Sequence, residues 1–274
     1  MNTINCKGRL VSLETPLIMG IINTTTDSFY ANSRQNSVDR VLFAAEKMVA
    51  EGVSILDIGG QSTRPGHIIN SEETELNTVL PAIEAIAKRI PETVISIDTY
   101  RSKVAKYACF AGASIINDIS GAADPDMYAI AAEAKAVYIL MHRKGSTNTM
   151  HQQFTYHNIL TEITDYFIQK SDQCFKAGIK DVILDIGIGF SKSIEENYFL
   201  LKNLAFFSSL KCPLLIGLSR KSFIYKTLGI TPEQALNGTT ALNFLSLTQG
   251  ANILRVHDVK EAVELVKLWN IYKG

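Results

Sequence analysis

The chain is sparing with the residues that would cross-link it, charge it or hold it in a membrane. Among its 274 residues are only four cysteines, Cys6, Cys109, Cys174 and Cys212. They lie far apart and never at the CxxC spacing of a zinc ribbon or redox pair, so they read as reduced thiols, mostly of a core. Neither sign of charge is in excess: Lys and Arg total 27, and so do Asp and Glu. That balance excludes the basic field that holds a nucleic-acid backbone, so no nucleic-acid partner is expected and any anion must be bound by local groups. No uninterrupted apolar run reaches membrane-spanning length, and residues 1–10 lack the apolar core of a signal peptide. A cytoplasmic protein without a membrane partner is the expectation. His151 and His157 sit in a polar stretch without ligand spacing and read as solvated surface, not a metal site.

What is present suits one α/β domain over residues 1–274. Hydrophobic residues make up 46% of the chain and charged residues 20%, enough apolar material for a large core. Eight short β-branched runs recur, at 17–22, 54–58, 94–97, 114–116, 137–141, 182–184, 214–218 and 252–256, each followed by a stretch of helical periodicity. A helix over 38–50 ends at Glu51-Gly52, and Ser71-Glu72-Glu73-Thr74 opens the next with acid at its amino end. Similar steps before a strand, Ala111-Gly112 and Ala177-Gly178, offer glycine for a left-handed cap. This alternation predicts parallel βαβ units. A doubly wound open sheet would alternate in the same way, but eight units favour a (β/α)8 TIM barrel, and the GxGxxG fingerprint of dinucleotide folds does not follow the first run.

In such a barrel the chemistry sits where strands end, in loops at one mouth. Here those ends are largely polar: Asn23 through Phe29 after the first run, Asp57 to Gly66 around the second, then Asp98-Thr99, Asn117-Asp118, Met141-His142, Asp185, Ser219-Arg220-Lys221 and Arg255-Val256-His257-Asp258. An Asp or Asn after a strand often only caps the next helix, and Arg220 or Lys221 can serve a surface ion pair. The set is harder to explain that way, because eight separate strand ends meet at one mouth. Asp98, Asn117 and Asp185 offer donors and acceptors suited to the edge of a flat nitrogen heterocycle. Arg255 and His257, with Asn23 on the neighbouring strand, suit a phosphate or pyrophosphate. Ser62-Thr63-Arg64-Pro65-Gly66 has the make-up of a substrate-closing loop. Phe29 and Phe190 are placed to pack an aromatic substrate, although a loop Phe is more often simply buried.

From residue 18 to residue 266 the chain resembles the dihydropteroate synthases, folate-pathway enzymes targeted by sulfonamides. The markers are Asn23 with Asp27-Ser28-Phe29, Asp57-Ile58-Gly59-Gly60, Ser62-Thr63-Arg64-Pro65-Gly66, Ile97-Asp98-Thr99, Ile116-Asn117-Asp118, Met141-His142, Gly187-Ile188-Gly189-Phe190, Ser219-Arg220-Lys221-Ser222 and Arg255-Val256-His257-Asp258. The resemblance implies a barrel that condenses 6-hydroxymethyl-7,8-dihydropterin pyrophosphate with 4-aminobenzoate and releases pyrophosphate. It implies that Asp98, Asn117, Asp185 and Lys221, with Met141, hold the pterin. Asn23 would help place Mg2+, Arg255 and His257 would bind the leaving pyrophosphate, and Thr63, Arg64, Pro65, Phe190 and Ser219 would frame aminobenzoate. A homodimer and a dissociative reaction are further implications, with Asp98, Lys221, Arg255 and His257 as the catalytic set. The chain departs from the family pattern in having Thr26 and Ile186 for Pro, Gln61 for Glu, and 30–34 in place of a glycine-rich stretch. Other readings are a corrinoid-linked pterin methyltransferase, which would need no pyrophosphate site, and a paralogue that binds pterins without turnover.

Overall fold

The structure is a computed structural model and describes residues 3–24, 34–61, 70–145 and 152–274. Eight strands, β3 (Leu17–Asn23), β4 (Ile55–Gly59), β5 (Val94–Asp98), β6 (Ile115–Asp118), β7 (Val137–Met141), β8 (Val182–Asp185), β9 (Leu214–Ile216) and β10 (Ile253–Val256), pair in parallel and in chain order, and β10 closes against β3. The barrel is therefore closed, which removes the open-sheet alternative. Around it lie α1 (Arg34–Glu51), α2 (Glu72–Arg89), α3 (Ser102–Ala111), α4 (Met127–Glu133), α5 (Ile159–Lys176), α6 (Ile194–Lys202), α7 (Ser222–Leu228), α8 (Leu236–Thr248) and α9 (Val259–Lys273). Local chemistry sets their ends. The Ser71 hydroxyl accepts from Thr74 N–H at 3.1 Å to start α2, and Ser193 and Glu196 form a reciprocal capping box at α6. Gly52, Gly112 and Gly178 all take positive φ, as their place before a strand requires.

Strand alternation divides the core in two. Outward positions such as Ile18, Leu56, Ile95, Ile116, Tyr138 and Leu184 pack beneath the helices. Inward positions near the strand starts, Leu17, Met19, Ile55, Val94, Ile115, Val137, Ile139, Ile183, Leu215 and Ile253, form a separate buried cluster. Further along the same strands the inward positions turn polar: Asn23, Asp57, Asp98, Asn117, Asp185 and Arg255. One face of each strand thus supplies apolar filling at the bottom and chemistry at the mouth.

Three features depart from the sequence reading. A hairpin of β1 (Thr3–Cys6) and β2 (Arg9–Ser12) precedes the barrel, and Ile4, Cys6 and Leu13 join the bottom cluster as a plug. Strand β9 stops at Ile216, short of the expected 214–218, because the chain turns at Leu218, whose carbonyl accepts from Lys221 N–H at 3.0 Å. The last crossover carries two helices, α7 and α8, not one. The thiol reading fits the described residues: all four cysteines are free, and Cys6, Cys109 and Cys174 are buried. His157 is exposed; His151 lies outside the described residues.

Candidate active site

Parallel register sets the mouth. Asn23 pairs with Gly59, Gly59 with Asp98 and Asp98 with Asn117, so these four lie side by side across β3, β4, β5 and β6. A Cβ at Gly59 would sit 3.6 Å from Asn23 Oδ1 and 3.6 Å from Asp98 Cβ, so any larger side chain would fill the gap between the two. Asp57 lies one inward position deeper and is fully buried. From β10, Arg255 spans the mouth: its Nε donates to Asp57 Oδ2 at 2.7 Å and its Nη2 to Asp98 Oδ2. Asn117 Nδ2 donates to the same Asp57 oxygen at 3.1 Å, while Asp57 Oδ1 has no partner among the described residues.

Arg255 and Asn117 thus meet on Asp57, and Arg255 ties it to Asp98 across the mouth. The sequence reading set Asp57 among the polar strand ends and the family markers but gave it no role in the site. Its inward parity with Ile55 and Gly59 is the signal that could have placed it in the site. Burial pushes the Asp98 carboxyl up, Arg255 pulls it down, and Asp57 pushes it up again. A carboxyl balanced in this way can accept or donate a hydrogen bond toward a ring nitrogen.

On the other side of the mouth, Asp185 pairs in register with Met141, and its Oδ1 accepts from Gly187 N–H at 2.8 Å. This bond orients the carboxylate even though Ile186 stands where the family has Pro. The Lys221 ammonium donates to Ile188 O and lies 4.5 Å from the centre of the Phe190 ring. Burial pushes it down, to about 8, against the pull of Asp185. Met141 and Phe190 pack with Ile119, and Tyr100 lies against them, as a small apolar wall separate from the two larger cores. Ile119 and Tyr100 were not in the sequence reading; each follows a singled-out pair, Asn117-Asp118 and Asp98-Thr99. Ser219 and His257 meet directly, Nδ1 to Oγ at 2.9 Å. Behind them Arg220 clasps Asp258 through two hydrogen bonds, of 3.1 Å and 2.5 Å, tying the β9 loop to the β10 loop.

Thr63, Arg64 and Pro65 lie outside the described residues, as do Thr26 and Phe29. Gln61 is described, and it uses its whole carboxamide. Nε2 donates to Asn70 O at 3.0 Å, Oε1 accepts from Asn70 N–H at 3.1 Å, and Nε2 lies 3.4 Å from Glu75 Oε2. Glu75 is fully buried and ion-paired with Arg101, which also donates to Asn70 O.

A closed parallel barrel whose mouth gathers carboxylates, an amide, a lysine, an arginine and a histidine from separate strand ends has the donors and acceptors of an enzyme for a flat polar ring bearing an anion. The chain belongs to the pterin binding enzymes, whose family model matches residues 19–257, and among them to the dihydropteroate synthases. It is 41% identical to the dihydropteroate synthase of Escherichia coli K12 over 264 residues, 96% of this chain and 93% of that one. It is also 41% identical to that of Bacillus subtilis, over 93% of this chain and 88% of the relative. Among solved structures, the Yersinia pestis dihydropteroate synthase in a sulfonamide drug complex superposes with a TM-score of 0.91 at 37% identity, covering 99% of this chain and 98% of that one. The Xanthomonas albilineans dihydropteroate synthase with 4-aminobenzoic acid gives 0.91 at 33% identity, covering 100% and 98%.

Proposed function

We propose that this barrel condenses 6-hydroxymethyl-7,8-dihydropterin pyrophosphate with 4-aminobenzoate, giving 7,8-dihydropteroate and pyrophosphate for folate synthesis. The observation that carries the proposal is the Asp57–Arg255–Asp98 bridge, with Asn117 bonded into it, at the mouth of a barrel belonging to this family. Asp98, Asn117, Asp185 and Lys221 take the polar edge of the pterin, with Met141 against its face. Arg255 and His257 take the pyrophosphate, and Ser219 and Phe190, with Thr63, Arg64 and Pro65, frame aminobenzoate.

Breaking the C–O bond sends its electron pair to the pyrophosphate and leaves a cation at the pterin methylene. The buried carboxylates of Asp57 and Asp98 favour that cation, and Arg255 and His257 favour the departing anion. The arylamine nitrogen then forms the C–N bond and gives its proton to water. An arylammonium is acidic enough to need no enzyme base, and no covalent nucleophile is required.

Mg2+ fits the donor chemistry. Asn23 offers an exposed amide oxygen beside Asp98, and a hard cation that keeps waters and substrate phosphates needs only one or two protein oxygens. Among the described residues no group of three or more His, Cys, Asp or Glu forms a protein cage. When bound, Mg2+ would neutralise pyrophosphate oxygens, and its removal should weaken binding of the pterin substrate.

We also place the enzyme in the cytoplasm, a reading supported by its free thiols, and assign it a homodimer built on its outer helices, where Leu245, Leu268 and Ile271 are exposed. A sedimenting mass of one chain would exclude the pair. The ligand roles are tested by calorimetry with the dihydropterin pyrophosphate and Mg2+. Asp98→Ala leaves Arg255 and the pterin edge short of an acceptor, at a cost of about 2–3 kcal/mol, or roughly 30- to 150-fold in Kd. Parent-like affinity in that variant would remove Asp98 from the pterin edge.

A further inference from the structure

Lys192 is a buried lysine to which the reaction gives no task. It is 7% exposed, lies in the loop between β8 and α6, and makes no ion pair with a carboxylate among the described residues. Its Nζ faces three acceptors: Gly187 O at 2.9 Å, Phe190 O at 3.1 Å and His142 Nδ1 at 3.3 Å. An ammonium has three protons and no lone pair, so the three acceptors match it one for one. Burial pushes Lys192 down, to about 7, against the attraction of Asp185, so burial works against its charge and the three acceptors favour it.

The loop it serves is unusual. Gly187, Gly189 and Ser191 take φ of +68°, +82° and +58°, so every second residue is left-handed and carbonyls are turned toward the interior. A Cβ on Gly187 would overlap the carbonyl oxygen of His142, so the loop can follow this path against β7 only with glycine there. Two lysines collect the inward carbonyls. Lys221, from the β9 side, takes Ile188 O, while Lys192 takes those of Gly187 and Phe190 on either side of it.

We infer that Lys192 is a positioning residue for the pterin site, an internal post that holds the 186–190 loop so that Ile188 O meets Lys221 and Phe190 lies beneath it. The inference rests on the proposed pterin reading for its kinetic consequence but not for its structural one. A lysine that only filled space could be replaced by methionine, of similar length and apolar, with little change at the mouth. A post cannot be, because methionine supplies none of the three donated hydrogen bonds.

The test compares Lys192→Met and Lys192→Gln with the parent by steady-state kinetics and amide hydrogen exchange. In Lys192→Met the KM for the pterin substrate should rise about tenfold while kcat falls less than about threefold. A merely structural loss would instead lower the active fraction and leave KM where it was. Lys192→Gln keeps an N–H donor for one of the carbonyls and should fall between Met and the parent. In unliganded protein the Phe190 amide, which donates to Gly187 O at 3.1 Å, should exchange about tenfold faster in Lys192→Met. If Met prevents folding, the Gln variant decides by the same two readouts. Parent-like KM and parent-like exchange in a folded variant would overturn the inference. Faster exchange in a protein whose parent does not turn over the pterin substrate would support the post and count against the pterin reading instead.

Discussion

Gln61 shows how a single departure from a family pattern can be read physically. Loss of a carboxylate beside an aminobenzoate loop looks like a loss of function, yet the carboxamide donates to and accepts from the backbone of Asn70 and also approaches Glu75. A carboxylate can do only half of this, because it has no N–H for Asn70 O, and it would stand against a second buried carboxylate. Gln61→Glu, the family residue, should therefore lower unfolding free energy by about 1–3 kcal/mol in urea titrations. Adding Glu75→Gln should recover part of the loss by returning a donor to the pair. A Gln61→Glu protein as stable as the parent would show that the amide pairing contributes nothing. Most mouth residues were legible at this scale: Asp98, Asn117, Met141, Asp185, Arg255 and His257 each lie at or just past a strand end and share the inward parity of their strand. Asp57 was less so, because an acid in mid-strand looks like part of the strand until Arg255 is seen to reach it across the barrel. Lys192 was not legible, since its partners are backbone carbonyls whose direction depends on left-handed residues that the sequence marks only as glycines and a serine.

Among the elements, the eight strands and the helices after them follow from β-branched runs and helical periodicity, and all eight runs lie within two residues of the observed strands at both ends. Only β9 ends before its expected run does, cut short by a turn at Leu218 that uses backbone bonds and a left-handed Arg220, neither written in apolar pattern. The β1–β2 hairpin escaped notice because each strand has four residues and β2 is largely exposed. It nevertheless closes the barrel bottom: Ile4, Cys6 and Leu13 are buried against inward residues of the strands. Removing residues 1–12 exposes that cluster. With about 1.5–3 kcal/mol for each large apolar side chain returned to water, the loss should be on the order of 3 kcal/mol or more in denaturant unfolding. The mouth is at the opposite end, so the KM for the pterin substrate in the folded fraction should not change. A truncated protein of unchanged stability would mean that the hairpin is not a plug.

Across the whole molecule, the barrel separates stability from chemistry along its axis. Apolar inward residues fill the end where strands begin, and Asn23, Asp57, Asp98, Asn117, Asp185 and Arg255 occupy the end where they finish. The two groups come from the same strands, so closing the barrel brings polar residues from distant parts of the sequence to one mouth, as Arg255 and Asp57 meet across 198 positions. The most direct test of this account is pyrophosphate release from the purified protein with Mg2+ and dihydropterin pyrophosphate, with and without 4-aminobenzoate. The account predicts release that rises with 4-aminobenzoate and matches dihydropteroate formation mole for mole. Tight binding of the pterin substrate with no release in either case would contradict it and leave a pterin-binding barrel that does not catalyse the condensation.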